Sequence, residues 1–107
     1  MWAQLIQMKL KPGKDTAAMI EQIRAAEQPG SGLVRSLMMR DQSDPSRIYT
    51  LVVFESEEKA RAREQDPRRN ERLAAARSIM ADIVEGPLEF TDLEVVDEWT
   101  AATAGAA

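Results

Sequence analysis

Apolar and polar positions alternate along residues 2–10 (WAQLIQMKL), which predicts a strand. Trp2, Ile6, Met8 and Leu10 share one face with Gln4, and Ala3 and Leu5 share the other with Gln7 and Lys9. Lys11-Pro12-Gly13-Lys14 breaks it. Residues 15–28 then change period: Met19, Ile20, Ile23 and Ala26 fall on one side of a helix, which Asp15 or Thr16 can cap. Pro29-Gly30-Ser31-Gly32 ends that helix. Residues 33–40 (LVRSLMMR) return to alternation, with Leu33, Arg35, Leu37 and Met39 on one face and Val34, Ser36, Met38 and Arg40 on the other. After the polar turn 41–46, residues 47–55 (RIYTLVVFE) form the clearest strand, rich in β-branched and aromatic residues.

Ser56 opens a helical stretch, with acids in its first turn and Glu57 placed to pair with Arg61. Asp66-Pro67 is a fresh cap, so the helix breaks and restarts there. Leu73, Ala76, Met80 and Ile83 make the stripe of the second piece, and Gly86-Pro87 stops it. Residues 88–98 read as a last strand, whose apolar parity switches between Phe90 and Leu93; this predicts a bulge near Thr91-Asp92. The order is βαββαβ, an α+β domain over residues 1–99 with a flexible tail at 100–107.

Helices in this order cover one face of a four-stranded antiparallel sheet. Strand 47–55 carries Tyr49, Leu51 and Val53 on one side and Ile48, Thr50, Val52 and Phe54 on the other. A sheet that is apolar on both faces and has one helical layer needs a cover, and a second copy of the chain supplies it: a homodimer is expected. The alternative is a monomer whose own C-terminal segment covers the sheet.

Composition narrows the chemistry. There are no cysteines and no histidines among the 107 residues. Thiolate nucleophiles, disulfides, Cys-based metal sites, His-ligated haem or zinc and a Ser-His-Asp triad are therefore excluded within one chain. The net charge of −4 argues against nucleic acid and anionic membranes as partners. Lys59, Arg61, Arg63, Arg68, Arg69, Arg72 and Arg77 interleave with Glu58, Glu64, Asp66 and Glu71, the pattern of a salt-bridged helix surface. Asp92, Glu94, Asp97 and Glu98 alternate faces and converge poorly on a cation. No apolar run approaches the roughly 20 residues of a membrane helix, and the opening residues are too polar for a secretion signal, so a cytoplasmic location is expected.

The opening strand with its Lys11-Pro12-Gly13-Lys14 turn, the segment from Tyr49 to Glu58, and Gly86-Pro87 before a final strand together resemble the antibiotic biosynthesis monooxygenase family. The resemblance spans residues 2 to 99 and rests on elements and turns. It implies a ferredoxin-like fold assembled as a dimeric α+β barrel, with a pocket between sheet and helices. It also implies cofactor-free oxygenation of a quinol-like or anthrone-like aromatic. The family's Glu-x-Trp positions read Val52 and Phe54 here, and the Asn, Trp and His of its haem-degrading members read Ile6, Phe54 and Arg72, so the haem ligand is missing and no cofactor is expected. The pocket implied in this way holds Gln4, Ile6, Thr50, Val52, Phe54 and Arg72. Gln4 either orients a substrate oxygen or lies near the sheet end in water. Phe54 either walls an aromatic pocket or is a core ring. The other reading of the same pocket is a non-catalytic binder of small hydrophobic ligands, or a stress-associated dimer.

Overall fold

The alternation at the N-terminus forms strand β1, Trp2–Lys9, in a computed structural model that describes residues 1–101. Helix α1 is Ala17–Ala26, and a hairpin follows from β2, Leu33–Arg40, and β3, Arg47–Phe54. Helices α2, Glu57–Glu64, and α3, Pro67–Ile83, lead to β4, Glu89–Glu94. The tail expected over 100–107 falls mostly outside the described residues. Among these residues no helix is long and apolar enough to cross a membrane.

Local chemistry accounts for the turns. Asp41 Oδ1 accepts from the Ser43 and Asp44 amides at 2.8 and 3.2 Å, and Asp44 Oδ1 accepts from the Ser46 hydroxyl at 2.6 Å, closing the β2–β3 loop. Ser56 caps α2 through the Lys59 amide at 3.1 Å. The predicted helix break is present: Asp66 accepts from the Arg68 amide at 2.9 Å, and Pro67 occupies the first turn of α3. At α1 the cap hydrogen bond comes from Asp15, whose Oδ1 accepts from the Ala17 amide at 3.0 Å, while Thr16 makes none with its side chain.

The four strands pair antiparallel in the order β2-β3-β1-β4. This is the ferredoxin-like arrangement expected from the sequence, but the barrel is not: β2 and β4 are separate edges, and the sheet stays open. Physically, four strands span too little circumference to enclose an interior, which takes about eight. Two further expectations are corrected. The β1–β4 register runs without interruption from Trp2↔Glu94 to Gln7↔Glu89, so β4 carries no bulge at Thr91-Asp92. Its parity switch reflects a strand with one apolar residue for each face. The irregularity lies instead between Leu33 and Arg35 of β2, and it turns Leu33 to the same face as Ser36 and Met38.

The helices lie over one face of the sheet. At one end Met8 and Ile48 pack with Leu10, Met19 and Ile83 in the main core. Met19 is fully buried. Helices α1 and α3 meet through the small buried side chains Ala26 and Ala76, beside Leu73. At the other end the Trp2 and Phe54 rings meet at a tilt of 43°, centroids 6.0 Å apart, beneath α2. Among the described residues none of α1, α2 and α3 covers the opposite face, although Ala3 and Val53 on it are buried. There the register aligns Leu5, Leu51 and Leu37 across three strands, with Leu37 39% exposed and Met39 44% exposed nearby.

Candidate functional site

Between the packed end and the aromatic end, sheet and helices stand apart around a cavity of about 590 Å³. Ile6, Thr50 and Val52 form its floor, joined by Met38 and Phe90 from the edge strands. Ile20 and Ile23 of α1 and Leu73 and Met80 of α3 form its roof. The volume suits a bicyclic or tricyclic organic molecule, and the apolar lining suits its rings.

The polar groups come mainly from the helices. Glu27, closing α1, accepts from Arg63 Nε and Nη2 at 3.2 and 2.7 Å. Burial by itself raises the Glu27 pKa. Hydrogen bonds from Arg63 and Ser31 and the charges of Arg63 and Arg69 more than offset this, and the carboxyl ends below its ordinary value. Arg69 is pressed the other way: burial lowers its guanidinium pKa, and the neighbouring positive charge of Arg63 lowers it further. Its Nε is buried with no hydrogen-bond partner, and so is Thr50 Oγ1 on the floor. Arg24 and Arg77 complete the lining from exposed positions.

Three of the six residues expected at the pocket, Ile6, Thr50 and Val52, meet there. The other three lie elsewhere. Gln4 shares a rung with Val52 but its Nε2 donates to Asp92 Oδ1 at 3.0 Å, across the β1–β4 pair. Phe54 is a core ring, 4% exposed, held between Trp2 and the Arg63 guanidinium 5.3 Å from its centre. Arg72 donates from Nη1 to the Ala25 carbonyl at 3.2 Å, serving the end of α1. Asp92, considered above for a cation, also accepts from Arg61 at 2.9 Å, and among the described residues no group of acidic side chains is arranged to hold a metal ion.

The interleaving of Arg63, Arg69 and Arg77 with acids predicts a salt-bridged surface; Arg63 does pair with Glu27, but all three line the cavity. A signal was available for Arg69. One step of four residues back along the stripe from Leu73 lands on it, and Arg77 lies four residues further on.

No family model matches the chain, and comparison with curated proteins finds no match. Solved structures do match. A Chloroflexus aurantiacus protein provisionally named an antibiotic biosynthesis monooxygenase superposes with a TM-score of 0.67 at 22% identity, over 94% of this chain and 98% of its own. A protein of unknown function from Nitrosomonas europaea gives 0.69 at 17% identity, covering 92% of each chain. A mutant form of SnoaB, a cofactor-independent oxygenase from Streptomyces nogalater, gives 0.65 at 13% identity, over 91% of this chain and 94% of its own. At these identities the shared property is the fold alone.

Proposed function

We propose that this chain is a monooxygenase-like protein that oxidises a small electron-rich aromatic, of quinol or anthrone type, inside the cavity between sheet and helices. The observation that carries this reading is the cavity itself: about 590 Å³, apolar on floor and roof, and edged by cationic donors. Its likeness in fold to a cofactor-independent oxygenase supports the choice of chemistry. An ionised anthrone-like carbon gives electrons to O₂. A C–O bond forms, and the resulting hydroperoxide loses water as its O–O bond breaks, so that CH₂ and O₂ become C=O and H₂O. The arginines at the wall favour the anionic form of the substrate.

One observation favours a second reading, a non-catalytic binder. Glu27 is the one carboxylate among the cavity's lining residues, and its pairing with Arg63 holds its pKa down. It is a poor base, so ionisation of a weakly acidic substrate has no evident acceptor on the wall.

Oxygen-electrode assays with a quinol and anthrone panel separate the two. Uptake that Ile6→Trp abolishes by filling the floor supports the oxygenase. Uptake no greater than that of a heat-treated control, with a ligand-dependent rise in Tm, supports the binder. In either case we propose that the chain pairs with a second copy through the sheet face away from α1, α2 and α3, where Leu5, Leu51 and Leu37 align.

A further inference from the structure

The cavity holds more positive charge than its own carboxylate answers. Four arginines, Arg24, Arg63, Arg69 and Arg77, line it together with one carboxylate, Glu27. Arg63 already occupies Glu27 with two nitrogens. Arg69 stands inside this group with its Nε buried and unpaired. Across from the helices, Thr50 is 8% exposed, and its hydroxyl is also buried and unpaired. Buried polar groups are nearly always hydrogen-bonded, so two orphans on the walls of one cavity mark a missing partner that is itself polar. Both can donate, one as a hydroxyl and one as a guanidinium N–H. An acceptor that reached both would satisfy both, and the surplus of guanidinium favours an anion.

We infer that the cavity binds a small aromatic or alicyclic carboxylate, its rings between Ile6, Val52 and Leu73 and its carboxylate on Arg69 and Thr50. A carboxylate fits better than a phenolate on two grounds. It is ionised at neutral pH without help, where no free base lines the wall. Its two oxygens also match the planar donors of an arginine. This deepens the ligand class of the site proposed above and rests on that cavity being a ligand site, but it does not need oxygen chemistry.

The test is calorimetric titration with 2-naphthoate and with its neutral counterpart 2-naphthalenemethanol. Wild-type protein binds the carboxylate roughly tenfold or more tightly than the alcohol, the size expected of a charge-assisted hydrogen bond. Arg69→Met removes most of that preference, weakening the carboxylate far more than the alcohol. Thr50→Val weakens the carboxylate by a smaller factor. Arg69→Lys, which keeps the charge, restores part of the preference. Arg68→Met, which changes an exposed neighbour paired with Asp66, leaves it intact. Equal affinity for the two probes, no binding of either, or a preference that survives Arg69→Met in a variant with wild-type circular dichroism overturns the inference. Naphthoate preference without oxygen uptake on any substrate overturns the oxygenase and keeps the carboxylate site. Uptake on neutral quinols without naphthoate preference does the reverse.

Discussion

Arg63 of α2 holds Glu27 at the end of α1 with two nitrogens, Nε at 3.2 Å and Nη2 at 2.7 Å from Oε2, Nε also reaching Oε1 at 3.5 Å. The same guanidinium lies over the Phe54 ring, 5.3 Å from its centre. One cation therefore joins two helices to the end of the central strand β3. It also settles that Arg63 is spoken for at the cavity, where the Nε of Arg69 is buried and unpaired.

The Glu27–Arg63 pair is sheltered, with side chains 28% and 11% exposed, so its removal is expected to register in stability. Glu27→Gln is expected to cost about 1–3 kcal/mol at neutral pH, the range for a hydrogen bond to a charged group. The sign with pH follows from the lowered carboxyl pKa. The folded state binds the proton less readily than the unfolded state, so the contribution is complete above the ordinary glutamate pKa. It is lost as pH falls through the lowered value. Urea unfolding of wild type and variant at neutral and acidic pH checks this. A gap that stays constant into acid would show that the ion pair is not its source.

Gly32 adopts φ +83°, and a Cβ there would stand 2.6 Å from Lys59 Cβ, at the first turn of α2. Gly30 has a similar φ of +76° but open space around it. Gly30→Ala is expected to cost about 1 kcal/mol, from backbone conformation alone. Gly32→Ala is expected to cost more, about 2–4 kcal/mol, because the close contact adds to the backbone term. Denaturant midpoints of the two variants give the comparison. Equal losses would mean that α2 moves aside freely.

The strands that read most clearly, β1 and β3, are the two central ones, with buried residues on both faces. Alternation puts Ile6 with Gln4 on one face of β1 and Thr50 with Val52 on one face of β3; the family resemblance brings the two faces together, and the register Ile6↔Thr50 and Gln4↔Val52 agrees. Asp66-Pro67 was legible for a different reason: a cap and a ring that cannot donate act locally. The edge strands were less readable. Arginine and apolar residues occur on both faces of LVRSLMMR, so alternation does not locate its irregularity at Val34. In β4, Phe90 and Leu93 are 58% and 38% exposed, and such weak burial sets no pattern that distinguishes a bulge from a two-faced strand. The cavity's arginines were hidden by composition. Acids and bases alternate so densely in 57–72 that charge spacing alone does not tell which side chains turn inward.

The sheet face away from α1, α2 and α3 gives a prediction about assembly. Leu37 sits on edge strand β2, 39% exposed and level with Leu51 and Leu5. Leu37→Lys is expected to convert a pair of chains into single chains in sedimentation equilibrium at micromolar concentration, since a charge buried in an apolar interface without a partner is costly. The Tm of wild type, but not of the variant, should then rise with protein concentration. Wild-type protein that sediments as one chain across that range would refute the pairing.

Thr50 ties stability to ligand binding in opposite directions. Its hydroxyl is buried on the helix-facing side of β3 and pairs with nothing. Valine has nearly the same shape and suits a strand at least as well, so Thr50→Val removes a desolvated oxygen while leaving the packing in place. The variant is expected to be more stable than wild type by about 1 kcal/mol, read as a higher denaturant midpoint with an unchanged slope. Without a ligand the threonine is then a cost to the fold, and the hydroxyl serves only when an acceptor enters the cavity. Saturating 2-naphthoate should narrow or reverse the difference, because wild type gains more from the ligand than the valine variant does. A valine variant less stable than wild type in the absence of ligand would mean that the hydroxyl has a partner within the fold, and the case for an anion at Thr50 would lose one of its two supports.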